Sequence, residues 1–145
     1  MKKCKTSLLQ YASQLAKQLN SNRRERAAET YMAAVKSFIK FIGATDINLG
    51  SIDKATVTSY NYFLKRNGLS ANTISFYNRN LRAIYNHAID DDLICNAAPF
   101  RRVFTGTNRT AKRAIDAASI SRIAHLDISG SPSLQFAADL FLFSF

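Results

Sequence analysis

Gly68-Leu69-Ser70-Ala71-Asn72-Thr73-Ile74-Ser75-Phe76-Tyr77-Asn78-Arg79-Asn80-Leu81-Arg82-Ala83-Ile84-Tyr85-Asn86-His87-Ala88 sorts into two faces when wound at about 100° per residue. Ile74, Tyr77, Leu81, Ile84, Tyr85 and Ala88 share an apolar stripe that must face a core. Asn72, Ser75, Arg79, Arg82 and Asn86, at alternating steps of three and four, line the opposite side, and no acid interrupts them. Two arginines among amides and a hydroxyl are the groups that neutralise phosphates and read base edges in a major groove. Ser70 stands where an N-cap is needed, and Thr73 one turn on has a hydroxyl that could serve the cap or a phosphate.

The same periodicity extends towards the N-terminus. Leu8, Leu9, Ala12, Leu15, Ala16 and Leu19 describe an amphipathic helix ending near Asn20-Ser21-Asn22. A second runs from about Arg24 to Ile42 and is closed by Gly43. Its buried stripe is Tyr31, Val35, Phe38 and Ile42, with Arg26, Glu29, Ala33, Lys36 and Lys40 outward. A third begins at Ser51 to Asp53 and carries Val57, Tyr60, Phe63 and Leu64 to Gly68. With strand-like alternation scarcely present before residue 100, these lengths and short connections predict an all-α, compact four- to five-helix orthogonal bundle.

Charge narrows the class of partner. The 145 residues carry 20 Lys+Arg against 10 Asp+Glu, a net +10. The excess is confined to residues 1–113, and residues 114–145 hold only Arg122 against Asp116, Asp127 and Asp139. A cationic front and a mildly acidic, apolar rear are two different units, and a polyanion belongs with the first. Cys4 and Cys95 are too few and too far apart for a disulfide framework or a metal site, so a reducing cytoplasm fits. The apolar run at Leu8-Leu9 is broken by Gln10, Ser13 and Gln14, which excludes a signal peptide, and no segment is long enough for a membrane span.

Pro99, Gly106 and the polar run Thr105 to Thr110 stop helix formation and predict an extended linker over 105–113 between a domain at 1–104 and a fragment at 114–145. Arg101, Arg102, Arg109, Lys112 and Arg113 give residues 101–113 five cations and no acid, with Lys112 and Arg113 the linker's candidates for the phosphate backbone. Beyond it, Asp116 to Ala124 reads as a short helix, and Ser131-Pro132 opens another through Phe136, Leu140, Phe141 and Phe143. That last helix is apolar on nearly all sides, so it is read as the start of a second domain that the chain enters without completing.

These words also resemble a family. Gly-Leu-Ser-x-Asn-Thr-Ile-Ser-x-Tyr, then Leu-Arg-Ala-Ile-Tyr-Asn-x-Ala-Ile, then Asn-x-x-Pro-Phe, looks like the fourth helix of the core-binding domain of tyrosine recombinases, the phage integrases. Thr30-Tyr31 with Val35, Phe38 and Phe41-Ile42-Gly43 is similar to the second helix of that SAM-like domain, and Leu49, Ile52 and Val57 to its third. Lys112-Arg113-Ala114-Ile115 resembles the interdomain linker, and Asp139 to Phe145 the first buried catalytic-domain helix. The resemblance implies double-stranded DNA as partner, a clamp around the duplex, and other recombinase protomers assembled on it. It also implies a parent of phage or mobile-element type that integrates DNA with a tyrosine nucleophile, arginines, a lysine and histidines.

None of that catalytic set is assigned here: the six tyrosines lack a convergent basic cluster, and His87 and His125 are isolated. No cofactor, metal or membrane is expected. The DNA-binding candidates are Asn72, Thr73, Ser75, Arg79, Arg82 and Asn86, with Lys36 and Lys40 on the second helix and Lys112 and Arg113 in the linker. Two other readings fit the same pattern: a DNA-binding regulator that does not recombine, and a helical module whose basic faces meet acidic proteins.

Overall fold

Ser7 opens the first helix, α1 (Leu8–Ser21), by accepting a hydrogen bond from the Gln10 amide at 3.0 Å. The computed structural model describes residues 6–110 and 115–144, and every regular element in them is helical. α1 is followed by α2 (Glu25–Ile42), a single 3-10 turn at Leu49–Ser51, α3 (Lys54–Arg66) and α4 (Ala71–Asp90). The chain divides into two units, Met1–Asn108 and Arg109–Phe145. The all-α class, a helical bundle followed by a short helical fragment, is thus the one the sequence predicts.

The helix ends follow from local chemistry. Asp53 caps α3 by accepting from the Thr56 amide at 2.7 Å, and Ser70 caps α4 by accepting from the Thr73 amide at 3.2 Å. Gly43 and Gly68 sit at φ 71° and 74° just past α2 and α3, in the left-handed region that ends helices. α1 and α4 end in the same way without glycine. Arg23 takes φ 57° and Asp92 φ 56°, while the next amides reach back, Arg24 N to Leu19 O at 2.8 Å and Leu93 N to Ala88 O at 2.9 Å. The hydrogen bonds of this terminal wrap hold both residues in a conformation that L side chains disfavour.

The core lies where α1 and α4 pack on α2, with α3 closing one side. Val35 and Phe38 of α2, Val57, Tyr60 and Leu64 of α3, and Leu81, Ile84 and Ala88 of α4 are buried together with Leu8, Tyr11 and Ala12 of α1. Each large apolar side chain so placed contributes about 1.5–3 kcal/mol. Phe38 meets Tyr60 edge-on, with ring centroids 5.0 Å apart at 86°. Tyr31, Ile42 and Tyr77, expected on buried stripes, are half-buried at the margin, whereas Ala28 and Ala34 lie inside. Beyond α4 the chain returns to put Ile94 and Phe100 into this core, and Phe100 packs against Tyr85 with centroids at 5.9 Å.

Two polar ties fasten the bundle. Asp46, in the connection after α2, accepts from the Ser7 hydroxyl and from the amides of Leu9 at 3.0 Å and Ile47 at 2.7 Å. Burial pushes its carboxyl up, but these hydrogen bonds outweigh burial and leave it below the ordinary carboxylate range. The Tyr11 hydroxyl donates to Asp91 at 2.5 Å, joining α1 to the end of α4.

In the second unit, Asp116 caps α5 (Ala117–Ala124) by accepting from the Ser119 amide at 3.2 Å. α6 (Pro132–Phe143) begins with Pro132 in its first turn, and Ser131 occupies the cap position without a side-chain cap bond. No side chain of either helix is fully buried, and Phe143 is 92% exposed.

Candidate nucleic-acid interface

α4 is held by its apolar stripe, so the side chains it turns outward are set by the core rather than by one another. Arg79, Arg82 and Asn86 are all exposed. Asn86 lies two turns after Arg79 and Arg82 one turn after it, so the three occupy one side of the helix. No acid occurs in α4 before Asp90 in its final turn. Thr73 is exposed in the first turn, and its hydroxyl meets that of the capping Ser70 at 2.9 Å. On α2, Lys36 and Lys40 are exposed one turn apart. Lys112 and Arg113 lie outside the described residues.

Two members of the predicted stripe do something else. Ser75 is not on an open face: it is fully buried, and its hydroxyl donates to the Gly106 carbonyl at 2.5 Å. Asn72, half-buried, makes a paired contact with Asn108, accepting from its amide at 2.7 Å and donating to its carbonyl at 3.0 Å. Laid along the first half of α4 is the chain after the core, residues 104–108, of which 105–108 were expected in the extended linker. The periodicity puts Asn72 and Ser75 on the same side of the helix as Arg79 and Arg82, but in the structure that part of the side is covered rather than open. What covers that face comes from some thirty residues downstream, and no helical wheel contains it.

Asn78, which the sequence reading passes over, completes this arrangement. It is fully buried, and its amide donates to the Phe104 carbonyl at 3.2 Å and to Asn61 Oδ1 of α3 at 2.8 Å. Asn61 donates in turn to the Val57 carbonyl at 2.8 Å. Asn72, Ser75 and Asn78 thus bind the backbone of residues 108, 106 and 104 in antiparallel order, and no buried side-chain nitrogen or oxygen among the described residues lacks a partner. The available signal was a polar residue at helical spacing from Ile74 and Leu81, set against core neighbours.

The tyrosines divide in the same way. Tyr11, Tyr60 and Tyr85 are buried. Burial first, then the hydrogen bond to Asp91 and the charges of Asp91 and Asp90, push the Tyr11 phenol far up. Burial pushes Tyr60 up too, against a hydrogen bond to Ser37. Such phenols resist becoming the phenolate that a nucleophile needs. Tyr62 is 69% exposed. His87 packs near Tyr31, with ring centroids 6.5 Å apart, and the His125 Nδ1 lies 2.7 Å from the Ser121 carbonyl of its own helix. Among the described residues no three His, Cys, Asp or Glu side chains gather to hold a metal, and no helix is long and apolar enough to cross a membrane. Cys95 is exposed, and Cys4 lies outside the described residues.

Comparison with known proteins gives these helices a family. Residues 7–103 match the phage integrase SAM-like domain. A Pseudomonas aeruginosa protein named tyrosine recombinase XerC is 30% identical over 101 residues, 68% of this chain and 23% of that protein. One from Caldanaerobacter subterraneus subsp. tengcongensis, named tyrosine recombinase TTE1313, is 34% identical over 71 residues, 48% of this chain and 24% of that protein. The chain therefore spans about a quarter of the length of these curated relatives. No solved structure matches it.

Proposed function

The chain belongs to the phage integrase SAM-like domain family, the N-terminal helical domain of tyrosine recombinases, and from that premise we propose that it grips duplex DNA for a site-specific recombinase. The parent acts in the cytoplasm in the integration or recombination of a phage or other mobile element, and further protomers bind beside it on the DNA. This part of it holds the duplex and breaks no phosphodiester bond.

The observation that carries the reading is the exposed trio Arg79, Arg82 and Asn86 on one acid-free side of α4. A helix so equipped can lie in a major groove, with guanidinium groups meeting guanine edges or phosphates and the amide meeting adenine. Lys36 and Lys40 of α2 supply phosphate contacts, with Lys112 and Arg113 following the backbone further along. Thr73 reaches a phosphate at the start of the helix. Asn72 and Ser75 serve the interface indirectly, by holding residues 106–108.

Fluorescence anisotropy of a labelled duplex of ~30 base pairs, from low to moderate salt, tests the reading. Arg79→Ala weakens binding by about 1–3 kcal/mol at one base position if it reads a guanine, or lowers the salt slope by about 0.9 if it meets a phosphate. Unchanged affinity in an Arg79→Ala, Arg82→Ala double variant overturns the proposal and favours a module that binds acidic proteins.

A further inference from the structure

Two grooves run along α3 on the side facing residues 97–108. The larger, of about 410 Å³, is lined by Tyr62 and Lys65 of α3, by Arg102 and Phe104, and by the first turn of α4. The smaller, of about 220 Å³, is lined by Lys54, Arg101 and, again, Arg102. Arg102 borders both, so the two grooves adjoin as one cationic track along this side of α3. Four cations border it and no carboxylate lines either part. Lys54 and Lys65 lie eleven positions apart on the helix, so the track is about 16 Å long.

The track differs from the α4 face in what accompanies the charge. Tyr62 is 69% exposed and Phe104 45% exposed, two aromatic rings held in water beside guanidinium and ammonium groups. In a duplex the base faces are stacked on one another and closed to an outside ring. An unpaired strand offers them freely, and a cationic groove with aromatic platforms is the arrangement that binds it. An acidic peptide would satisfy the cations and leave the rings without a planar partner.

We propose that this groove is a second nucleic-acid site, for single-stranded DNA, in which Lys54, Arg101, Arg102 and Lys65 follow the phosphates while Tyr62 and Phe104 stack on bases. At B-form axial spacing its length corresponds to on the order of five nucleotides. The site is separate from the α4 face and stands or falls independently of it.

The test is anisotropy of the full chain with a labelled ~12-nucleotide mixed-sequence strand and with an abasic strand of the same length. The base-bearing strand binds about tenfold tighter. Tyr62→Ala shrinks that difference while leaving duplex binding unchanged, and Tyr62→Phe, which keeps the ring, retains it in full. The exposure of Tyr62 lets all variants fold, which far-ultraviolet circular dichroism verifies. Arg79→Ala with Arg82→Ala weakens the duplex and spares the single strand. Equal binding of the abasic strand overturns the proposal. So does displacement of the strand by poly-glutamate at equal charge, or loss of single-strand binding in the Arg79/Arg82 variant. Failure of duplex binding alone counts against the α4 interface and leaves this site standing.

Discussion

Asn78→Ala tests whether residues 104–108 are held to α4 by hydrogen bonds. Asn78 is fully buried and donates to Asn61 Oδ1 at 2.8 Å and to the Phe104 carbonyl at 3.2 Å. Truncation strips a donor from both oxygens, and a buried acceptor left unpaired costs about 1–3 kcal/mol. Both hydrogen bonds are only part-buried, which places each acceptor at the lower end of that range. With roughly 1 kcal/mol for the void left by the carboxamide, the loss comes to about 2–3 kcal/mol. In a domain of this size that lowers Tm by about 10–20 °C. Thermal and urea unfolding followed by circular dichroism measure the loss, and hydrogen exchange at the Asn108 amide, bonded to Asn72 at 2.7 Å, reports local release of the segment. Replacing both partners, Asn61→Leu with Asn78→Leu, recovers part of the loss because neither amide is then orphaned. A single-variant loss below about 0.5 kcal/mol, or a double variant as damaged as the sum of its parts, refutes the reasoning.

Three further outcomes follow from the same structure. Asp92→Gly relieves a left-handed backbone at φ 56° and removes a negative charge from the carbonyl end of α4, so urea unfolding shows a gain of about 0.5–1 kcal/mol; no gain would mean that the side chain has another role. Asp46→Asn removes a carboxylate whose folded pKa is depressed. Its charge-dependent contribution is fully present above the unfolded value of about 3.9 and is lost as pH falls below it, so wild type and variant converge under acid and differ near neutrality. A constant gap in urea midpoint between pH ~7 and ~3 would contradict this. Ending the chain after Thr110 removes α5 and α6, none of whose side chains belongs to the core cluster, so the main thermal transition keeps its midpoint; a fall of more than ~5 °C would show that the core depends on them.

How far the sequence could be read depended on the range of the forces involved. Helix spans, the caps at Asp53 and Ser70 and the glycine stops were legible because capping and 3.6-residue periodicity act within one or two turns. The left-handed wrap at Arg23 and Asp92 was not legible, because no glycine announces it and each residue is held there by hydrogen bonds back into its helix. At the candidate site, Arg79, Arg82 and Asn86 face solvent where the wheel puts them. Ser75 was misjudged because a wheel records direction and not cover, and the cover arrives from Gly106. Asn78 was passed over because a polar side chain next to a core stripe declares itself only once its partners, Asn61 and Phe104, are in place.

The rungs between α4 and residues 104–108 behave as a vernier. Asn72, Ser75 and Asn78 advance three residues at a time, about 4.5 Å along the helix, while Asn108, Gly106 and Phe104 advance two, up to about 6.6 Å of extended chain. The two scales drift apart by about 2 Å per rung, so the match persists over three marks only with the bend at Gly106 and cannot run on indefinitely. Every mark is read on the main chain, so the register depends on the number of residues between marks and not on the side chains of Thr105 and Thr107. Deleting either residue would shift the whole scale by one notch. The match to α4 thus rests on the spacing of residues 104, 106 and 108.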